Sequence, residues 1–162
     1  MLTLEQYQNL KPLDFITRVN RDINSKIKYK EDVVDKWNTP KETLKLGYGD
    51  CEDYAILKFD VLLQLGFTAG QLKLVYCFLK TGRLKEAHIV LEVSIGTTEY
   101  IMDNSMTLVL PLKERSDLEV LFKFNKDELW VNGEKTGHDP KKRLGQWGKV
   151  VERSIKENSL IG

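Results

Sequence analysis

The stretch from Gly49 to Gly66 sets the terms for the rest of the chain. It opens Gly49-Asp50-Cys51-Glu52-Asp53-Tyr54 and continues into a run with apolar residues at Ala55, Ile56, Phe59, Leu62 and Leu63. That spacing is one face of a 3.6-residue helix, so the run predicts an amphipathic helix with a buried far side. Gly66, after the last periodic residue, reads as its stop. Asp50 suits the N-cap, and Asp53, three residues on, suits the acid of a capping box. Cys51 then falls in the first helical turn, where unpaired N–H groups and the positive end of the dipole favour a thiolate. A thiolate is the form that attacks a carbonyl carbon. Asp50, Glu52 and Asp53 oppose that ionisation, because each adds negative charge beside the sulfur. A nearby imidazolium or a bound cation would resolve the conflict. On position alone, the plainer reading of Cys51 is a small, half-buried side chain at a helix start.

Before this helix the chain reads as helical from Leu10 to Ile27, with a stripe of Leu13, Ile16, Val19 and Ile23, Phe15 beside it, and Pro12 in the first turn. Lys28 to Asp32 is a polar connector, read as solvated surface. Trp37-Asn38-Thr39-Pro40-Lys41-Glu42 marks a second helix entry, with Thr39 as cap, Pro40 first and Glu42 third. That short helix carries Leu44 and Leu46 and ends at Gly47. Trp37 reads as core, with a place beside the Cys51 cleft as the alternative.

After Gly66 the period changes from 3.6 to 2. Leu72, Leu74, Tyr76 and Phe78 alternate with Lys73, Val75, Cys77 and Leu79, a strand buried on at least one face, with Cys77 as an inert core thiol. Thr81-Gly82-Arg83 is a turn. From Ala87 to Ile95 the odd positions are apolar, while His88, Val90, Glu92 and Ser94 take the other face. Gly96-Thr97 is a hairpin turn and Glu99 to Asn104 runs back. Strands follow at Leu108–Leu110, Leu118–Phe124 and Leu129–Val131, the last before an Asn132-Gly133 turn. Lys135 to Lys142 is a polar loop. Trp147, Val150, Val151 and Ile155 space like a terminal helix before a frayed end. Helices first, then an antiparallel meander, predict an α+β domain with the Cys51 helix packed against a sheet. The expectation is a single domain over 1–162, with its core from about 10 to 155.

The totals exclude several classes. The 162 residues are 41% apolar and 30% charged, ordinary for a soluble globular protein. Lys+Arg is 25 against Asp+Glu 24, which gives no support to a nucleic-acid or membrane partner. The longest apolar run, Leu74 to Leu79, is far below the roughly 20 residues of a spanning helix. The opening Met1 to Gln6 shows no secretory leader, so the expected location is cytoplasmic as written, or periplasmic if a leader has been removed. Cys51 and Cys77 do not make a disulfide framework.

Of the two histidines, His88 lies on the strand face opposite the regular apolar set, and His138 sits in the polar loop as a surface residue. If the hairpin centres near 95–97, Asp103 comes opposite or diagonal to His88. A nucleophile at a helix start, an imidazole base and a carboxylate to fix its tautomer would then all be present. A hydrogen-bonded structural histidine and a strand-end carboxylate are the plainer readings of the same two residues.

The motif Trp37-x-Thr39-Pro40-x-Glu42-x-Leu44-x-x-Gly47-x-Gly49-Asp50-Cys51-Glu52-Asp53-Tyr54-Ala55-Ile56 resembles the bacterial transglutaminase-like cysteine proteinases. That family includes a periplasmic protease that releases biofilm adhesins from the cell surface. The likeness continues through Ala87-His88-x-Val90-Leu91, Asp103-Asn104 and Phe124-Asn125-x-x-x-Leu129-Trp130, and covers about residues 15 to 155. The resemblance implies a papain-like transglutaminase core, with Cys51, His88 and Asp103 as a catalytic triad. It also implies a thioester intermediate and cleavage of a peptide bond in a protein or peptide substrate. It implies calcium held by Asp50 and Glu52, with Asp53 as a further acid at these positions; six to eight oxygens are needed, so the Ser105–Thr107 loop or the turn before Asp50 would contribute. An amidase or transglutaminase with the same triad, and a calcium-dependent binding module with little turnover, are the alternatives.

Overall fold

The computed structural model describes residues 3–161. Met1, Leu2 and Gly162, on which the expectations of a leaderless start and a frayed end partly rest, lie outside them. The first helix, α1 (Leu4–Gln8), was not signalled by periodicity; Thr3 and Gln6 form a capping box at its start. Helix α2 (Pro12–Lys26) buries Phe15, Ile16, Val19 and Ile23. Leu13, expected on that stripe, is 39% exposed. It lies on the flank of the stripe away from Phe15, and α1 covers the Phe15 flank through the Tyr7–Phe15 ring contact.

Helix α3 (Pro40–Leu46) follows its sequence signals closely. The Thr39 hydroxyl accepts from the Glu42 N–H, and Gly47 ends the helix in the left-handed region at φ 75°. Leu44 and Leu46 remain exposed. Helix α4 (Cys51–Gln64) is buried nearly all round rather than on one face. Tyr54, Ala55, Ile56, Phe59 and Leu62 enter the core, but so do Lys58 and Asp60, each with a hydrogen-bonding partner. This is the placement of a central helix, enclosed by α2, the sheet and the C-terminal segment.

Two short strands, β1 (Lys28–Tyr29) and β2 (Tyr48–Gly49), pair in parallel. The main sheet holds β3 (Leu72–Thr81), β4 (Leu84–Ile95), β5 (Thr98–Asp103), β6 (Met106–Pro111), β7 (Leu118–Phe124), β8 (Leu129–Val131) and β9 (Glu134–Lys135). Its order is β6-β5-β4-β3-β7-β8-β9, with antiparallel pairing throughout. The expected meander therefore holds from β3 to β6 and then breaks. Instead of adding outside β6, β7 crosses back to pair with β3. The physical reason is a second apolar layer. Val75, Cys77, Val90 and Ile101 are buried on the sheet face away from the main core, and Leu112 of the crossover and Leu118 at the start of β7 pack on them. Cys77 is fully buried there, as expected of an inert thiol.

Short α5 (Pro140–Arg143) leads into α6 (Gly145–Lys156), which buries Trp147, Val150, Val151 and Ser154. Ile155, expected on that stripe, is 58% exposed, and Ser154 holds the inward position. The indole N–H of Trp147 donates to the Asn125 carbonyl, and its ring meets Phe124 and Phe59 edge-on. The described end of the chain is pinned rather than frayed. Asp60 accepts from the Ser159 hydroxyl at 2.7 Å and the Leu160 N–H at 3.2 Å, and Ile161 is buried. Among the described residues no helix is long and apolar enough to cross a membrane.

Candidate active site

The site is assembled from three chain segments that local sequence keeps apart. Gly47 turns the chain out of α3 into β2, and β2 pairs with β1, so residues 28–30 run beside residues 47–49. The Lys30 N–H donates to the Gly49 carbonyl at 2.8 Å. This clip brings Asp32, two residues beyond Lys30, to the acids that start α4. Gly49 is required by a close approach: a Cβ there would lie 2.7 Å from both Cβ and Oδ2 of Asp53. Asp53 folds back over Gly49 to accept from the Asp50 N–H at 3.2 Å, the Asn38 N–H at 2.9 Å and the Asn38 side-chain amide at 3.2 Å. It therefore caps α4 and ties α4 to the segment ahead of α3. Burial raises its carboxyl; the Asn38 N–H works against this and the Asp50 charge with it, leaving it at about 7.

Asp32, Asp50 and Glu52 form a second group, with an oxygen from each lying within 4.8 Å of the others. Burial, then the hydrogen bond and charge of Glu52, push the Asp50 carboxyl up to about 9, and Asp32 adds to the effect. Glu52 is also raised, by burial first. Oδ2 of Asp32 and Oδ1 of Asp50 are buried and have no hydrogen-bond partner. Three hard oxygen donors with unused lone pairs are chemically suited to a divalent cation such as calcium. Asp32 is the residue that sequence reasoning missed. It lies in what the sequence presents as a solvated connector, because a two-residue strand carries no period to reveal its partner. The Ser105 loop, expected to help hold a cation, instead donates its N–H and hydroxyl to Asp103, each at 2.9 Å.

Cys51 stands at the first position of α4, half-buried, with Sγ 3.4 Å from Glu52 Oε2. Its thiol is pushed far up by burial and by the Glu52 charge; a hydrogen bond from the Ile89 backbone works the other way, and Asp50 adds to the rise. Cys51 and His88 both line a cleft of about 390 Å³, together with Tyr29, Asp32, Trp37 and Gln146. Trp37 satisfies both of its readings, since its ring also stacks on Phe124 at 6.2 Å.

Behind the cleft, His88 Nε2 lies 2.8 Å from Asp103 Oδ1. Residues 91 and 102 are partners across β4 and β5, so Asp103 lies diagonal to His88 on the adjacent strand. The remaining ring nitrogen, Nδ1, is the one free of Asp103. Asp103 Oδ2 accepts from Arg115 Nη2 at 2.8 Å. Burial would raise the Asp103 carboxyl, but the bond and charge of His88, the Ser105 N–H and the Arg115 guanidinium outweigh it and hold it far below the usual carboxylate range. His138 is exposed, as expected.

Residues 3–135 match the family described as bacterial transglutaminase-like cysteine proteinase. The chain belongs to that family. It therefore joins cysteine peptidases that act on protein substrates. Among solved structures it is similar to LapG of Legionella pneumophila, at 29% identity over 93% of this chain and 82% of that one, with a TM-score of 0.78. EGTA-treated and calcium-bound forms of the same protein superpose with TM-scores of 0.80 and 0.76, at the same identity, over 83% and 84% of their lengths. Among curated proteins no match is found.

Proposed function

We propose that this cysteine peptidase cleaves a peptide bond through a thioester on Cys51, with His88 as general base and acid and Asp103 as the group that orients His88. Asp103 on Nε2 leaves His88 Nδ1 to take the Cys51 proton. The sulfur then attacks the scissile carbonyl carbon. The Cys51 backbone N–H, at the start of α4, is positioned by the helix to stabilise the oxyanion. His88 returns its proton to the departing amine, and the thioester is hydrolysed by water that His88 activates in turn. The observation that carries the reading is the buried His88–Asp103 contact opening onto the cleft that holds Cys51.

Asp32, Asp50 and Glu52 would hold a calcium ion beside the nucleophile. Its charge would offset the acids that raise the Cys51 thiol, which is the chemistry it supplies. Similarity to LapG in calcium-bound and EGTA-treated forms supports this choice of cation. The triad is tested by Cys51→Ala: the protein is expected to fold and to lose turnover of a protein substrate entirely. A folded Cys51→Ala variant with normal turnover would remove Cys51 as nucleophile.

A further inference from the structure

Arg115 is 3% exposed, an unusual position for a guanidinium, and it lines no part of the cleft. It lies on the crossover between β6 and β7, after the turn Leu112–Glu114. Its Nη2 donates to Asp103 Oδ2 at 2.8 Å, while Nε and Nη2 donate to Asp117 at 2.9 and 3.0 Å. The crossover is itself fastened to the sheet, because the Lys80 N–H of β3 donates to the Asp117 carbonyl at 2.8 Å. The guanidinium is thus a rigid bridge from the sheet to the back of Asp103. Lys58, the other buried Lys or Arg side chain among the described residues, bonds Asn24 at 2.7 Å, and Asn24 reaches the Asp103 backbone carbonyl rather than its carboxylate. Among the described residues the ion pairs of Asp103 are with His88 and Arg115.

A carboxylate held by one contact can rotate about its χ2 angle and alternate which oxygen faces the imidazole. Asp103 is held on both oxygens and on opposite sides. Oδ1 takes His88 and Ser105, and Oδ2 takes Arg115. We propose that Arg115 is a positioning residue that locks the Asp103 carboxylate, so that Oδ1 stays on His88 Nε2 and Nδ1 remains the nitrogen presented to Cys51. This rests on the triad assignment above. A fork of coplanar donors suits the task better than a single ammonium, because it grips Asp103 and Asp117 together.

Two probes test it. The first is the ring proton of His88 in histidine-labelled protein, readable by NMR because His138 is the second of two histidines and is exposed. The second is alkylation of Cys51 by iodoacetamide at pH 7 with calcium present, which is selective because Cys77 is fully buried. Wild type is expected to give a downfield, slowly exchanging Nε2 proton and fast alkylation. In Arg115→Met the proton should broaden or vanish and alkylation should slow about tenfold, the scale on which loss of a ring-orienting partner acts. Arg115→Lys, which keeps one donor and the charge, should recover part of both. A folded Arg115→Met with an unchanged His88 proton and unchanged alkylation overturns the proposal. Should Arg115→Met fail to fold, Asp117→Asn loosens the guanidinium from its partly exposed side. It should cause a smaller change of the same kind, and no change at His88 would be equally fatal. A wild-type thiol no faster than free cysteine overturns the triad assignment instead, while the ring proton still decides the role of Arg115.

Discussion

Two groups of carboxylates flank Cys51 and His88, and their chemistry is opposite. Asp103 is fully buried, yet it is held far below the ordinary carboxylate range, because each oxygen faces hydrogen-bonding partners, the His88 ring and Ser105 on one and the Arg115 guanidinium on the other. Burial raises Asp50 as well, and there its two acidic neighbours add to the rise instead of offsetting it, so the carboxyl reaches about 9. Burial is therefore not what separates them; the sign of the nearest charge is. The first group carries its counter-charge in the chain, as Arg115. The second has no ion pair among the described residues, and its buried oxygens without partners are what a cation would satisfy.

The sharpest way to break the contrast is to spoil the completed side. Asp103→Asn keeps the shape, but it lets the amide present the wrong group to His88 and leaves Arg115 short of a buried anion. Turnover should fall by at least tenfold and by at most about ten-thousandfold, the loss seen when the orienting carboxylate of a serine triad becomes an amide. Stability should fall by about 3 kcal/mol, because a buried ion pair has lost one partner. Kinetics and a denaturant melt check both, and a variant within tenfold of wild type would show that Asp103 does not orient the base.

The open side is tested by filling and emptying it. With calcium at about 100 times its dissociation constant, stability should rise by about 2.7 kcal/mol, a midpoint shift of roughly 5–10 °C relative to chelator. Asp32→Asn and Asp50→Asn should each shrink that shift. Asp53→Asn should lower the midpoint in both buffers while leaving most of the shift, because its carboxylate serves the cap. Identical midpoints with calcium and chelator would remove the ion from the account.

These variants also mark what could be read from sequence. The cap at Thr39, the stop at Gly47 and the start of α4 were legible because each is decided within a few residues. His88 and Asp103 were legible because one hairpin sets their register. Asp32 was not, since it meets Asp50 through a parallel pair of two-residue strands with no periodic signal. Arg115 was not, since its partner depends on β7 crossing to β3, a choice made by the second apolar layer. Leu13 and Ile155 failed for a related reason: periodicity gives a stripe, whereas the neighbours that pack on it decide its edges.

Smaller effects sharpen the comparison through pH. In chelator, the folded-state rise of Asp50 to about 9 and Asp53 to about 7 means the native state holds protons that the unfolded chain, near 3.9, gives up. Their contribution is complete below about pH 4 and is lost as pH rises through 7 and 9. Asp103 runs the other way: its contribution is present above about pH 4 and is lost as pH falls toward its depressed folded value. Melts in chelator should therefore rise as pH is lowered from 9 to 5. Calcium should weaken or reverse that slope, and an unchanged slope would break the contrast. The smallest effect belongs to Ser105→Ala, which removes the hydroxyl donor to Asp103 but leaves the N–H. About 1 kcal/mol or less should be lost in the same melts; a larger loss would mean that the hydroxyl holds the loop itself.

The terminal helix has a consequence for where this enzyme can be cut. The family match ends at residue 135, but α6 lies beyond it and stitches the cleft wall from outside. The Gln146 amide donates to the Asp35 carbonyl, and the Arg153 guanidinium reaches both the Trp37 carbonyl and the Glu42 carboxylate. Trp147 fills the gap between Phe124 and Phe59. A protein trimmed at residue 135 would keep Cys51, His88, Asp103 and the acid cluster. It would nevertheless lose the buttress behind the segment that carries Asp32 and Trp37, so the unit that holds the cleft together extends past the stretch matched to the family.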